Sequence, residues 1–143
     1  MTYLLDVNVF IALLDEDHVF HGRAEDWFEA EASRSWATCP HTQNGVLRIL
    51  GSARYPKGPG TPAAVAALLA DVVARPGHNF WADDVNPIAS PLINVSRMGS
   101  SAQLTATHLL ALAVAHNGML TTFDRRLTAA AVRGGGSALH LIA

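Results

Sequence analysis

The chain predicts an α/β fold, a parallel sheet of about five strands covered by helices, and three observations carry that expectation. Short β-rich runs alternate with longer amphipathic or apolar runs from one end to the other. Two of the β-rich runs, Tyr3-Leu4-Leu5-Asp6 and Met119-Leu120-Thr121-Thr122-Phe123-Asp124, end on an aspartate, and the first leads at once into a helix-like run. Turn-forming residues punctuate the joins. Strands that alternate with helices imply right-handed crossovers and a parallel sheet.

Taken in order, the predicted strands are 2–5, 35–39, 78–81, 118–123 and 137–142. After Asp6 the run Val7 to Leu14 is apolar and helix-like. Val19, Ala24, Trp27, Phe28 and Ala32 then recur at helical spacing with Glu25, Asp26, Glu29 and Glu31 opposite, which predicts an amphipathic helix with a solvated acidic face. Pro40 to Leu50 forms a further helix. Thr61-Pro62 supplies a capping residue and a proline at the first helical position for another, which Pro76-Gly77 stops. Leu104 to His116 is the most apolar helix, and Asn117-Gly118 ends it. Two linkers intervene: the basic, glycine- and proline-rich segment 51–60, and residues 82–101, where a short helix is expected around Ser90 to Val95. A helix is also possible after Asp124, with Gly134-Gly135-Gly136 separating its last turn from the final strand.

At 143 residues the chain is read as one domain spanning 1–143, long enough to bury a core. Half the residues are apolar and 15% are charged. No uncharged apolar stretch reaches the roughly 18 residues of a membrane span, and no basic leader opens the chain, so a soluble cytoplasmic protein without membrane contact is expected. A single cysteine, Cys39, can form no internal disulfide and reads as a small buried residue. Trp27, Trp36 and Trp81 read as core from their apolar neighbours.

The net charge of -2 conceals an asymmetry: residues 1–31 hold eight acids and one base, whereas residues 85–143 hold one acid and four bases. Arg48, Arg54, Lys57, Arg97, Arg125, Arg126 and Arg133 are candidates for a phosphate-binding rim, although scattered surface arginines are the commoner explanation. Neither G-x-G-x-x-G nor G-x-x-x-x-G-K-[ST] occurs, which disfavours a nucleotide-cofactor enzyme.

The two strand-end aspartates acquire meaning together. A strand order of 3-2-1-4-5 places strand 1 beside strand 4, at the point where the winding reverses and ligands collect at strand C-termini. Asp6 and Asp124 then face one crevice. Each alone would be read as a helix cap; as a pair they suggest a Mg2+ or Mn2+ site, since clustered carboxylates repel one another unless a cation holds them. Asn8 and Thr122 flank them and would orient a ligand or water, or else satisfy local backbone. Asp83-Asp84 are second-tier candidates for the crevice, with capping as the simpler role, and His18 and His21 read as exposed helix-start histidines.

At these residues the chain resembles the PIN-domain ribonucleases, specifically the VapC toxins of type II toxin-antitoxin systems. The likeness runs through Leu4-Leu5-Asp6-Val7-Asn8, Cys39-Pro40-His41-Thr42-Gln43-Asn44-Gly45-Val46-Leu47-Arg48, Phe80-Trp81-Ala82-Asp83-Asp84-Val85, Leu109-Leu110-Ala111-Leu112-Ala113 and Thr122-Phe123-Asp124-Arg125-Arg126-Leu127. The resemblance implies a PIN-like three-layer fold and a Mg2+-dependent endoribonuclease acting on structured RNA such as a transfer RNA. It further implies a homodimer and a small antitoxin that covers the acidic crevice with a basic side chain. It places family acids at Asp6 and Asp124, at Gln43, which keeps a carbonyl but no charge, and at Ala106, which binds nothing. Arg48, Arg125 and Arg126 become the RNA-contact candidates. The flanks of Ala106 still fit the family pattern, which favours an introduced Asp-to-Ala change over a naturally degenerate member. The alternative is a catalytically dead scaffold that binds antitoxin or RNA. A receiver-like signalling domain expects paired acids at the first strand end and a lysine after a later strand, neither of which this chain offers.

Overall fold

A computed structural model describes residues 1–143. In chain order it contains β1 (Tyr3–Leu5), α1 (Val7–Leu14), α2 (His21–Trp27), β2 (Trp36–Thr38), α3 (Pro40–Leu50), α4 (Pro62–Val73), β3 (His78–Phe80), α5 (Leu104–Ala115), β4 (Met119–Thr122) and β5 (Leu139–Leu141). All strand pairings are parallel, in the order β3-β2-β1-β4-β5 that the sequence predicts.

Successive strand residues point to opposite faces, and here both faces are covered. Leu4, Ala37 and Leu120 meet α5 through Leu109, Leu110 and Leu112, with Trp81 and Cys39 in the same cluster. Leu5 and Trp36 point the other way, to Phe10 of α1, Trp27 of α2, Val46 and Leu50 of α3, and Val65 and Leu69 of α4. The result is three layers, with α5 on one face and α1 to α4 on the other. This double burial holds for the central strands β1, β2 and β4, whereas Phe80 of β3 and Leu141 of β5 stay exposed at the sheet edges. Cys39 and all three tryptophans are buried, as expected. No helix is long and apolar enough to cross a membrane.

Local chemistry sets the helix ends. Thr61 caps α4, its Oγ1 accepting from the Ala64 N–H at 3.2 Å, with Pro62 in the first turn. After α5, Asn117 adopts φ +54°, and the amides of Asn117 and Gly118 donate to Val114 O at 3.0 Å and Ala113 O at 2.8 Å. That paired closure is a Schellman motif, which needs a residue tolerant of the left-handed region at Asn117.

Three expectations are corrected. The amphipathic helix is α-helical only over His21–Trp27 and continues as a wider π turn, Phe28–Ala32, in which Phe28 lies edge-on to Trp36 at 5.5 Å. No helix forms around 90–95. Ile93 is instead extended and bridges antiparallel to Val132, Asn94 N–H donates to Ala131 O, Arg133 N–H donates to Leu92 O, and a 3-10 turn follows at Val95–Arg97. Prolines 87 and 91 disfavour helix there, and burial of Ile93 favours the extended pairing. The segment after Asp124 is likewise turns rather than helix, because Asp124 Oδ1 accepts from the Arg126 N–H at 2.9 Å in an Asx-type turn.

Gly118 marks a tight point of the sheet: a Cβ there would lie 2.6 Å from Thr2 O and 2.7 Å from Trp81 Cη2. Gly118→Ala should therefore destabilise the fold by about 1–3 kcal/mol, the range for an overpacked interior. The urea midpoint should fall with an unchanged slope; an unaltered midpoint would contradict this packing.

Candidate functional site

Pairing of β1 with β4 continues one residue past Leu5, as the Asp6 N–H donates to Thr121 O at 2.9 Å. Asp6 and Asp124 thus leave adjacent strand ends on the same edge of the sheet. Between them lies the fully buried Thr122. Its Oγ1 donates to Asp6 Oδ2 at 2.7 Å and accepts from the Asp124 N–H at 3.0 Å, while Asn8 Nδ2 reaches the same oxygen at 3.5 Å. The other carboxylate oxygen, Asp6 Oδ1, accepts from the Val7 N–H at 2.8 Å, so Asp6 also caps α1. Asp124 Oδ1 receives Arg126 through its backbone N–H and, at 3.4 Å, its Nε.

Burial raises the Asp6 carboxyl above its ordinary value of 3.8. The Thr122 and Val7 hydrogen bonds work against that rise, the charge of Asp124 adds to it, and His41 opposes it. Asp6 and Asp124 are therefore electrostatic neighbours, with an imidazole close enough to be felt.

That imidazole was not among the candidates read from the sequence. His41 stands in the first turn of α3, and its N–H donates to Asp83 Oδ2 at 3.0 Å. Its ring lies 6.2 Å from that of His108 on α5, and His108 Nε2 is 3.7 Å from Asp83 Oδ1. Asp83 thus takes the capping role. The one signal for His41 was its place just after Cys39-Pro40, at the mouth of the second strand.

Gln43 is not brought to the crevice. Two residues along an α-helix turn a side chain by about 200°, and Gln43 accordingly faces away from the His41 side. Its Nε2 donates to Thr38 Oγ1 at 3.0 Å, Thr38 Oγ1 bonds His78 Nε2 at 2.7 Å, and the side chain borders a recess shared with Leu47 and α4 residues Ala66 and Leu69. Ala106 is half-buried in the first turn of α5. One turn earlier, Gln103 clasps the loop after β4: Nε2 donates to Arg126 O at 3.1 Å and Oε1 accepts from the Thr128 N–H at 3.3 Å. Residues three apart share a helix face, so Ala106 lies on the face turned to that loop.

Arg48, Arg125 and Arg126 are exposed. His18 and His21 are half-buried rather than exposed: His21 Nδ1 bonds Ala12 O at 2.7 Å and its Nε2 lies 3.1 Å from Glu25. No group of three or more His, Cys, Asp or Glu side chains is gathered to hold a metal. Two carboxylates nonetheless suit Mg2+, which keeps several waters and takes one or two protein carboxylates. Asn8 Oδ1 is buried beside them with no hydrogen-bond partner, an oxygen that a hydrated cation would satisfy.

A carboxyl with a raised folded pKa contributes stability in its protonated form, fully present below the unfolded value and lost as pH rises through the folded value. Asp6→Asn, which cannot ionise, should thus gain stability relative to the parent chain as pH rises from 3.5 to 7.5, without divalent ions. Urea midpoints of the two proteins measure the difference, and a gap that stays constant with pH would refute a strained Asp6 charge.

The family model for the PIN domain matches residues 3–133. Ribonuclease VapC44 of Mycobacterium tuberculosis is 46% identical over 134 residues, covering 94% of both chains. Ribonuclease VapC39 of the same organism is 40% identical over 134 residues, covering 94% of this chain and 96% of that one. Among solved structures, VapBC2 of Rickettsia felis bound to a promoter DNA fragment superposes with a TM-score of 0.53 at 11% identity, covering 88% of this chain and 90% of that one. VapC20 of Mycobacterium tuberculosis, a sarcin-ricin loop cleaving toxin, does so at 0.50 and 16%, covering 76% and 80%. The sheet order, the paired strand-end aspartates and these identities agree: the chain belongs to the PIN-domain family, among its VapC ribonucleases.

Proposed function

We propose that this chain is the toxin of a type II toxin-antitoxin pair, built as a divalent-metal-dependent endoribonuclease for structured RNA such as a transfer RNA. The observation that carries this reading is the junction of Asp6, Thr122 and Asp124 in a chain 46% identical to Ribonuclease VapC44. Asp6 and Asp124 would hold Mg2+ or Mn2+, which when bound supplies Lewis-acid neutralisation of phosphate charge and activation of water. The chain's own groups do the positioning. Thr122 fixes the Asp6 carboxylate, Arg126 orients Asp124, and Asn8 offers its carbonyl to bound water. Arg48 and Arg125, exposed and in no ion pair, are free to meet RNA phosphates.

Position 106 decides the activity of this particular sequence. An aspartate there would add charge on the α5 face turned to the loop after Asp124; Ala106 adds none, and Gln43 is committed to Thr38. We read Ala106 as an introduced replacement that leaves the chain weakly active or inactive. A cognate antitoxin would cover the crevice with a basic side chain, and the toxin would pair with a second copy. The likeness to VapBC2 supports such a partner.

Ala106→Asp should raise cleavage of total cellular RNA by at least about 10- to 100-fold, the loss commonly seen even when a residue supporting a metal ligand is removed. The gain should require Mg2+ or Mn2+, vanish with chelator, and be abolished by adding Asp6→Ala. Equal cleavage by the Ala106 chain would show that position 106 is not a ligand. If neither protein cleaves, the non-cleaving scaffold that binds antitoxin or RNA becomes the better reading.

A further inference from the structure

Directly beside Asp6 opens a recess of about 390 Å³ between α1, α3 and the 51–60 segment. Ile11 and Ile49 give it apolar walls, His18 and Tyr55 bring rings to it, and Asp6 and Asn8 stand where it meets the acidic junction. None of these recess side chains except Asp6 and Asn8 enters the site described above.

The Tyr55 ring is held before any ligand arrives. Its hydroxyl donates to Asp15 Oδ2 at 2.5 Å. Gly58 lies so close that a Cβ there would sit 3.0 Å from Tyr55 Cδ1 and 3.2 Å from Leu50 O. Turn bonds from Tyr55 N–H to Ser52 O at 3.0 Å and from Gly58 N–H to Tyr55 O at 3.2 Å hold the backbone around it. His18 is fixed in turn, as its Nδ1 accepts from the Phe20 N–H at 3.0 Å. An aromatic surface immobilised in advance loses little entropy when something stacks on it.

Charge selects the kind of occupant. Arg48 precedes Ile49, Arg54 precedes Tyr55 and Lys57 lies two residues beyond, all exposed and none in an ion pair. The acidic turn Asp15-Glu16-Asp17 adjoins Tyr55, with Asp15 occupied by the Tyr55 hydroxyl and Glu16 and Asp17 exposed. A polyanion is therefore drawn toward the α3 and loop segment and repelled by Glu16 and Asp17. An apolar slot with fixed rings, next to a segment that carries exposed Arg48, Arg54 and Lys57, matches an unstacked base of single-stranded RNA, whose phosphates follow cationic side chains while the base leaves the strand.

We infer that this recess binds an unpaired nucleobase beside the Asp6–Asp124 junction, with Tyr55 as the stacking platform and a determinant of where RNA is engaged. The inference rests on the ribonuclease reading and adds to it the site that chooses a nucleotide.

The test uses the Ala106 chain in Mg2+ with single-stranded 12-nucleotide RNAs carrying 5-iodouridine at successive positions, photocrosslinked and mapped by mass spectrometry. Adducts should fall on Tyr55 or His18 for one favoured position of the label. Tyr55→Ala should remove the Tyr55 adduct and weaken RNA binding about 5- to 100-fold, the range for one stacked base. Tyr55→Phe, which keeps the ring and loses only the bond to Asp15, should bind within about threefold of the parent chain. His18→Ala loses the ring and the bond from the Phe20 N–H, and should weaken binding several-fold while circular dichroism shows it folded at the assay temperature, which separates lost stacking from lost folding. Tight RNA binding with adducts elsewhere and unchanged affinity in both alanine variants would overturn the recess and leave the ribonuclease reading standing. Absence of RNA binding by all four proteins would overturn the recess, and with no cleavage by Ala106→Asp it would overturn the ribonuclease reading as well.

Discussion

The parallel pairing of β1 with β4 is the constraint on which the rest of this protein depends. In the register Leu5 opposite Thr121, Asp6 and Asp124 emerge at neighbouring strand ends, and Thr122 stands between them with an oxygen shared by both. A slip of one residue would turn Leu4 and Leu5 to the wrong faces and break both halves of the core. The carboxylates are thus held together by hydrophobic burial on the two faces of the sheet. Their mutual repulsion opposes this placement, and the Asp6 carboxyl, raised by burial and by Asp124, registers it.

Asp6 shows that capping and ligand binding do not exclude each other. Each carboxylate oxygen accepts one hydrogen bond, Oδ1 from Val7 and Oδ2 from Thr122, and each retains a further lone pair. The two bonds fix the plane of the group, and the positive N-terminal end of α1 partly offsets its charge. A cation arriving there would meet an oriented donor. Local structure thereby orients the carboxylate and still leaves it able to accept a further partner.

What could be read from the sequence follows a physical boundary. Strand order, the two cores and the convergence of Asp6 on Asp124 depend on periodicity and chain connectivity, and these are written locally in the residues. The direction of Gln43 is not. It depends on how α3 is rotated about its axis above the sheet, set by Gly45 against Val7 and by Val46 and Leu50 in the core. The same rotation brings His41 toward Asp6, so one unseen angle explains both the expected side chain that turned away and the unexpected one that arrived. The 82–101 segment escaped for a related reason: its backbone satisfies itself on residues 131–133, a partnership that no local pattern announces.

The charge pattern also resolves once the fold is known. The acids of the first 31 residues are largely spent on the surface and on structure: Asp15 holds Tyr55, Glu25 meets His21, and only Asp6 reaches the crevice. Arg23, the lone base among them, bonds Ala143 O at 3.0 Å and lies over the Phe20 ring at 4.7 Å, so it too is structural. Arg48, Arg54, Lys57 and Arg125 remain uncommitted, each close in sequence to a residue that borders the acidic junction or the recess beside it. A net charge of -2 therefore says little about RNA, because phosphate responds to the field within about a Debye length, about 8 Å at physiological salt. At that scale Asp6 and Asp124 set the local field, and the other acids of the first 31 residues contribute little to it. Ala106 suits the first turn of α5 and brings no charge to that field, so the packing of α5 is independent of the electrostatics at the junction.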